Sequence, residues 1–100
     1  GMAGKWHLGQ AAEHTPRAHG FDTFFGIPYS TDMGSSAWQV DASAPLPLPL
    51  LQNESIVEQP VDIGGLTDRM VDFSRDFVLS AAQTERPWFL YLGFHQPHVP

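Results

Sequence analysis

The stretch LTDRMVDFSRDFVLSAAQTERPWFLYL, residues 66–92, decides the fold. Apolar side chains recur in its first part at intervals of four, three, four and four residues, which places them on one face of an α-helix. They are Leu66, Met70, Phe73, Phe77 and Ala81. We predict this helix from about Thr67 to Gln83, because Arg86-Pro87 cannot continue it.

The second part, Trp88–Leu92, is a continuous apolar run, which is typical of a strand buried on both faces of a parallel sheet. A helix followed by such a strand predicts an α/β fold with a mostly parallel sheet. If Gly1–Ala3 ends the preceding strand, the segment between the two strands is one enlarged, right-handed βαβ crossover.

Composition narrows the classes of function. Five Lys and Arg against eleven Asp and Glu give a net charge of -6, which argues against a nucleic-acid partner. The chain has no Cys, so disulfides and thiolate metal sites are excluded from this segment. The longest apolar run is much shorter than the ~20 residues that span a bilayer, so we expect no membrane span.

The stretch Gly9–Gly65 holds most of the Gly and Pro and shows no sustained period. We interpret it as loop with short strands or turns, and as an active-site excursion, because irregular stretches of this length are usually functional. Within it, Pro45–Leu50 alternates Pro and Leu and must be extended. It is either a polyproline ligand or a packed crossing loop with its leucines turned inward; the missing basic flank favours the second.

Polar residues that suit an anion occur in Gly4–Gly9. In an extended segment Lys5 and His7 point to the same side and can reach one ligand, and the flanking glycines let the backbone approach closely. The alternative is an exposed strand end with ordinary polar residues.

A second candidate segment, His95–Pro100, follows the predicted buried strand, where ligands bind in open α/β sheets. His95 and His98 have the spacing of a zinc half-site, but Pro97 forbids the helix that would put both rings on one face. One of the two histidines can be purely structural. In a third segment, Gly20–Ser30, we expect the aromatic residues to pack against the sheet, whereas Ser30 can hydrogen-bond an anion.

These segments together resemble the sulfatase family, with the Ile-Pro-Tyr-Ser version similar to arylsulfatase A. The matching motifs occur in family order: GKWHLG at 4–9, HGFD at 19–22, FGIPYSTDMG at 25–34, PLLQNESIVEQP at 49–60, LTDR at 66–69, PWFLY at 87–91 and HQPHVP at 95–100. The resemblance implies that residues 1–100 are a partial catalytic domain of an alkaline-phosphatase-like α/β sandwich.

The resemblance also implies roles. Lys5, Ser30 and His98 would bind the sulfate, His7 would hydrogen-bond the nucleophile, and His98 would help to protonate the leaving alcohol. The nucleophile would be a formylglycine made from a Cys/Ser-x-Pro-x-Arg motif before Gly1. A divalent cation, usually Ca²⁺, would be held by ligands outside this chain, so we expect no metal ligand within it and an inactive isolated segment.

Other functions share these elements. A phosphonate or phosphate-diester hydrolase of the same superfamily can carry Lys5 and His7, and a non-catalytic sulfatase-like binding protein is a further alternative. The expected substrate is a small-molecule or glycan sulfate ester. The family suggests a lysosomal, secreted, periplasmic or extracellular location. Asn53-Glu54-Ser55 also satisfies the glycosylation sequon.

Overall fold

The fold is described by a computed structural model, which covers residues 1–33 and 46–98. Five strands form one sheet in the order β4-β3-β2-β1-β5. The strands are β1 (Met2–Lys5), β2 (Phe24–Ile27), β3 (Leu50–Gln52), β4 (Ser55–Glu58) and β5 (Tyr91–Gly93). One α-helix, α1 (Leu66–Ala81), and two short 3₁₀ turns at Ala12–His14 and Arg17–His19 complete the described structure.

The sheet is mixed. β1 pairs in parallel with β2 on one side and with β5 on the other, whereas β2–β3 and β3–β4 are antiparallel. Because α1 precedes β5 and β5 lies parallel to β1, the predicted enlarged βαβ crossover and the α/β class are confirmed. The antiparallel pairings come from the β3–β4 hairpin within the long irregular stretch, which the sequence pattern did not resolve.

The helix is confirmed: it begins one residue earlier than predicted, at Leu66, and ends two residues earlier, at Ala81. Leu66 and Met70 are fully buried and join the core, while Phe73 packs against it from a partly buried position. The helix therefore covers β1 and β2 with the predicted apolar face.

Aromatic packing in the third segment is also confirmed. Phe24 is fully buried, and Tyr29 packs partly buried against the core. The rings of Phe25 and Phe73 stack with their centroids 5.4 Å apart, which joins β2 to α1.

In residues 1–100 by themselves, the predicted burial of the last strand is not observed. β5 begins at Tyr91 rather than Trp88, and Phe89 and Tyr91 are 67% and 48% exposed. The physical reason is position: in the described sheet β5 lies at the edge and pairs with β1 alone, while α1 packs mainly over β1 and β2. The apolar run therefore predicted the strand and its apolar side chains, but it did not predict which layers pack against them.

The proline-rich segment packs inward as a crossing loop. Leu48 and Leu50 are buried in the core cluster, whereas Leu46 is exposed. The backbone N–H of Val61 donates to the carbonyl of Leu48, which ties the segment to the chain after β4. The interpretation as a packed loop is therefore supported from residue 46 onward, and Pro45 lies outside the described residues.

In the two described ranges, no helix is both long and apolar enough to cross a membrane.

Candidate functional site

The candidate site residues lie at the carboxyl ends of the three parallel strands, β1, β2 and β5. Lys5 is the last residue of β1, Ser30 follows β2 by three residues, and His95 and His98 follow β5. Adjacent parallel strands end at the same edge of a sheet, so three segments that are distant in sequence meet there.

The segment after β1 turns sharply. The backbone N–H groups of Trp6 and His7 donate to the carbonyls of Ile27 and Pro28, and the indole Nε1 of Trp6 donates to the carbonyl of His14 at 2.6 Å. His7 adopts a left-handed conformation, with φ of 58°. The strand therefore ends at Lys5 and the backbone turns at His7, and the shared side of Lys5 and His7 stays a prediction.

A side-chain contact at this edge joins Ser30 to His98. The Ser30 Oγ lies 3.0 Å from the Nε2 of His98, across 68 positions of sequence. Ser30 is only 2% exposed, whereas the His98 side chain is exposed. Two residues predicted to bind the same anion are thus brought into direct contact.

Asp32 extends this contact, and sequence reasoning missed it. The Ser30 hydroxyl donates a hydrogen bond to the Asp32 carboxylate, which, together with the Asp32 backbone N–H, lowers the pKa of Asp32 from its ordinary value. The charges of His98 and Lys5 add to this effect. The available signal was the spacing Ser-Thr-Asp after a proline turn, because Ser and Asp hydrogen-bond locally in such turns.

His95 is the buried histidine of the pair. It is 7% exposed, and its Nδ1 is buried with no hydrogen-bond partner in the described structure. Burial lowers the pKa of His95, and the nearby positive charge of Lys5 lowers it further. A neutral imidazole is therefore the favoured form at this position.

Lys5 connects these groups electrostatically, because its charge acts on Asp32 and on His95. The structure thus brings Lys5, Ser30 and His98 to one neighbourhood, and their roles in binding sulfate stay predictions. For the His7 side chain, which is exposed, no hydrogen bond or ion pair with another described residue is present. Its proposed contact with a nucleophile stays a prediction, and Val99 and Pro100 lie outside the described residues.

No metal centre is formed by the part of the chain that the structure describes: no three His, Asp or Glu side chains converge there. A cavity of about 440 Å³ opens near the beginnings of β1 and β5, lined in part by Gly1, Phe21 and Phe89. It contains none of the predicted site residues, so its size does not identify it as the reaction site.

Comparison with known proteins gives a consistent result. The family model described as Sulfatase matches residues 1–100. Mouse arylsulfatase G is 37% identical over 120 residues, covering 99% of this chain and 23% of the relative. Human arylsulfatase A is 40% identical over 113 residues, covering 100% and 22%. N-acetylgalactosamine-6-sulfatase from dog is 30% identical over 108 residues, covering 99% and 20%.

The chain thus spans about a quarter or less of the length of these relatives, and the similarity includes all the segments that build the site. The family model matches the chain along its whole length, and the α/β crossover agrees with that match. We conclude that this chain belongs to the sulfatase family.

Proposed function

We propose that the intact natural protein containing residues 1–100 hydrolyses sulfate esters, R–O–SO₃⁻, to an alcohol and sulfate. The single observation that carries the proposal is the 3.0 Å contact between Ser30 and His98. It lies at the same edge of the sheet as Lys5, the last residue of β1. The family membership supports the same reaction class.

The chemistry of these three side chains suits a sulfuryl group. The reaction places negative charge on the bridging oxygen and on the peripheral sulfate oxygens. Lys5 supplies a compact positive charge for those oxygens, while Ser30 and His98 supply polar hydrogens. Groups fixed in advance near a developing charge are the most effective form of electrostatic stabilisation.

His98 is the proposed general acid. An imidazole can donate a proton near neutral pH, and the alkoxide that leaves a sulfate ester needs one. His98 is exposed whereas Ser30 is buried, so the ring lies on the solvent side of the pair, where an ester can approach.

The nucleophile and the metal are proposed to lie outside residues 1–100. A formylglycine would accept the sulfuryl group, and His7 would hydrogen-bond it and assist the release of sulfate. Ca²⁺ or another divalent cation would stabilise charge near that nucleophile. The location that accompanies this proposal is lysosomal, secreted, periplasmic or extracellular.

The test is a sulfatase assay on the purified intact protein with p-nitrocatechol sulfate, run beside phenylphosphonate and bis-p-nitrophenyl phosphate. Sulfate ester hydrolysis should be preferred, and Lys5→Ala and His98→Ala should each lower kcat/KM by about 10²- to 10³-fold, the cost of removing one transition-state donor. Two control variants remove an exposed charge and an exposed imidazole away from the site. These variants, Arg75→Ala and His14→Ala, should leave the rate unchanged.

The other functions have distinct outcomes. Preference for the phosphonate or the diester would assign the protein to the alternative hydrolase class. If the intact protein binds a sulfate ester without turning it over, it is a non-catalytic relative. Equal rates in wild type, Lys5→Ala and His98→Ala would remove both residues from the site.

A further inference from the structure

We infer that Trp6 is a positioning residue: its indole fastens the turn after β1 to the segment 14–21 and thereby fixes the place of His7. This role rests on the proposed function, in which His7 hydrogen-bonds the nucleophile. Trp6 acts on the reaction only through its neighbour, without touching the substrate.

The backbone of His7 depends on its neighbours for its conformation. His7 is left-handed, with φ of 58°, and its side chain is exposed. A left-handed backbone is unfavourable for a residue with a Cβ, so surrounding contacts must hold it. The backbone N–H of His7 donates to the carbonyl of Pro28 at 2.9 Å, which fixes the turn on the side of β2.

The indole of Trp6 supplies the contact on the other side. Its Nε1–H donates to the carbonyl of His14 at 2.6 Å, and its ring meets Phe21 edge-on, with the centroids 6.3 Å apart. The His19 ring lies tilted against it at 5.5 Å. A cavity of about 360 Å³, lined in part by Trp6 and Phe24, leaves some of the indole without packing neighbours in the described structure. The directional bond to His14 therefore helps to orient the ring.

Gly9 completes the closure of this turn. It has a φ of +123°, and a Cβ there would lie 2.6 Å from the Cβ of His14. The chain that leaves His7 thus returns directly against the residue whose carbonyl binds Trp6. His7 consequently lies in a short loop whose two ends are both held at His14.

The segment that receives the indole is itself held in place. The backbone N–H of His19 donates to the carbonyl of Pro16 at 3.0 Å. Arg17 forms an ion pair of 2.7 Å with Glu54, in the turn between β3 and β4. The indole therefore ties the loop to a segment that is joined to the sheet at a second point.

A contribution to stability alone is the competing explanation, because aromatic packing stabilises many positions that have no role in a reaction. Trp88 provides a matched control. Its indole also meets a phenylalanine edge-on, Phe77 at 6.2 Å, but it precedes β5 and so lies at the opposite end of the sheet from the site. Trp88→Phe and Trp6→Phe make the same chemical change, and only the second removes the bond to His14.

The direct test is amide hydrogen exchange in the intact protein at single-residue resolution. Trp6→Phe keeps an aromatic ring but removes Nε1–H, and it should speed exchange at His7 by about 5- to 10-fold, the equivalent of one lost hydrogen bond. Exchange at Tyr91 in β5 should not change, and Trp88→Phe should leave His7 at the wild-type rate. Unchanged exchange at His7 in folded Trp6→Phe would overturn the inference, whether or not the protein hydrolyses sulfate esters.

Gly9→Ala disturbs the same closure from its other end and gives a second, independent variant. The added Cβ should push the chain away from His14 and speed exchange at His7 as Trp6→Phe does. Wild-type exchange at His7 in this variant would show that the closure does not hold the turn.

Kinetics with p-nitrocatechol sulfate give a further test through a double-mutant cycle. Trp6→Phe should lower kcat by about 10-fold, since a misplacement of about 1 Å costs up to about 100-fold, and KM should change little because Lys5 and Ser30 remain. In the His7→Ala background the same substitution should cost about threefold or less, because the residue that it positions is already gone. An equal factor in both backgrounds would contradict the role of Trp6.

The two proposals fail separately. Absence of sulfatase activity in the wild-type protein refutes the proposed function, and hydrogen exchange at His7 still decides whether Trp6 holds the turn. Full activity in His7→Ala, combined with large losses in Lys5→Ala and His98→Ala, keeps the proposed function and refutes this inference. Equal effects of Trp6→Phe and Trp88→Phe on exchange and on kcat would assign Trp6 a purely structural role.

Discussion

Gly4 and Gly93 are register partners in adjacent parallel strands, and they lie so close that a Cβ on Gly4 would be 1.8 Å from the carbonyl oxygen of Gly93. Gly4 also pairs with Gly26 on its other side. A Cβ on Gly26 would be 1.9 Å from the carbonyl oxygen of Gly4. Gly93, Gly4 and Gly26 therefore form one row across β5, β1 and β2. Because they have no Cβ, the three strands can lie close together where they carry the site.

This row predicts that Gly4→Ala is strongly destabilising. The substitution requires the strands to separate, and φ of +126° at this position is unfavourable for any residue with a side chain. We expect a loss of about 2–6 kcal/mol in the free energy of unfolding, from backbone strain and overpacking together. Urea unfolding of the intact protein measures it.

Gly20→Ala is the matched control for that experiment. Gly20 also has a positive φ, of +97°, but a Cβ there meets nothing within 4 Å. Its cost should be about 1 kcal/mol, from the backbone conformation alone. If both variants lose the same amount, the close contact across the strands contributes nothing.

The turn between β3 and β4 predicts a second sensitive position. Asn53 is left-handed with φ of 56°, its Oδ1 accepts from the backbone N–H of Phe24 at 3.0 Å, and its own N–H donates to the carbonyl of Phe24. Asn53→Ala leaves the N–H of a buried residue unpaired. We expect the free energy of unfolding, measured with heat or urea, to fall by about 2–4 kcal/mol, because a hydrogen bond is lost and alanine is strained in the left-handed conformation.

Asn53→Gly separates these two contributions. Glycine adopts the left-handed conformation without strain but cannot supply the acceptor, so this variant should recover about 1 kcal/mol relative to Asn53→Ala. Equal stabilities of the two variants would show that the backbone conformation is not a cost here.

Buried His95 predicts that stability depends on pH. Its pKa in the folded protein is lowered from 6.5, so between the two values the unfolded chain binds more protons and stability rises with pH. Stability should therefore fall as the pH drops below about 6.5. His95→Gln should weaken this dependence in urea titrations across the range, whereas His14→Gln, at an exposed position, should keep it.

Glu58 predicts a separate dependence at lower pH. The Arg69 side chain, hydrogen-bonded to Glu58, holds the pKa of that carboxyl below its ordinary value of 4.5. A lowered carboxyl pKa stabilises the fold above 4.5, and the contribution disappears as the pH falls through the folded-state value. Glu58→Gln should cost about 1 kcal/mol at neutral pH and nothing in strong acid. Glu54→Gln, at the more exposed Arg17 pair, should cost less.

The sequence predicted the elements whose signals are local. The spacing of Leu66, Met70 and Phe73 was sufficient for α1, because helical periodicity needs no information about neighbours. The exposure of Phe89 could not be predicted in the same way. Burial depends on which layers cover a strand, and an apolar run is identical whether they are present or not.

The same distinction between local signals and features that depend on neighbouring elements applies to the candidate site. Lys5, Ser30 and His98 were proposed through the resemblance of their motifs to the sulfatase family, and their roles stay predictions. The contact between Ser30 and His98 depends on strand order, since β2 and β5 meet only through β1. Asp32 was missed because its position beside Ser30 depends on the path of a single turn. The left-handed backbone at His7 was likewise not visible in the sequence pattern.

The edge position of β5 also bears on how this segment behaves when it is produced alone. Trp88, Phe89 and Tyr91 present a broad apolar surface beside a row of backbone donors and acceptors with no strand opposite them in the described structure. Such an edge recruits a second copy in β-sheet register. Expression of residues 1–100 by themselves should therefore yield self-associated material, and soluble preparations will require the flanking polypeptide or charged substitutions along that edge.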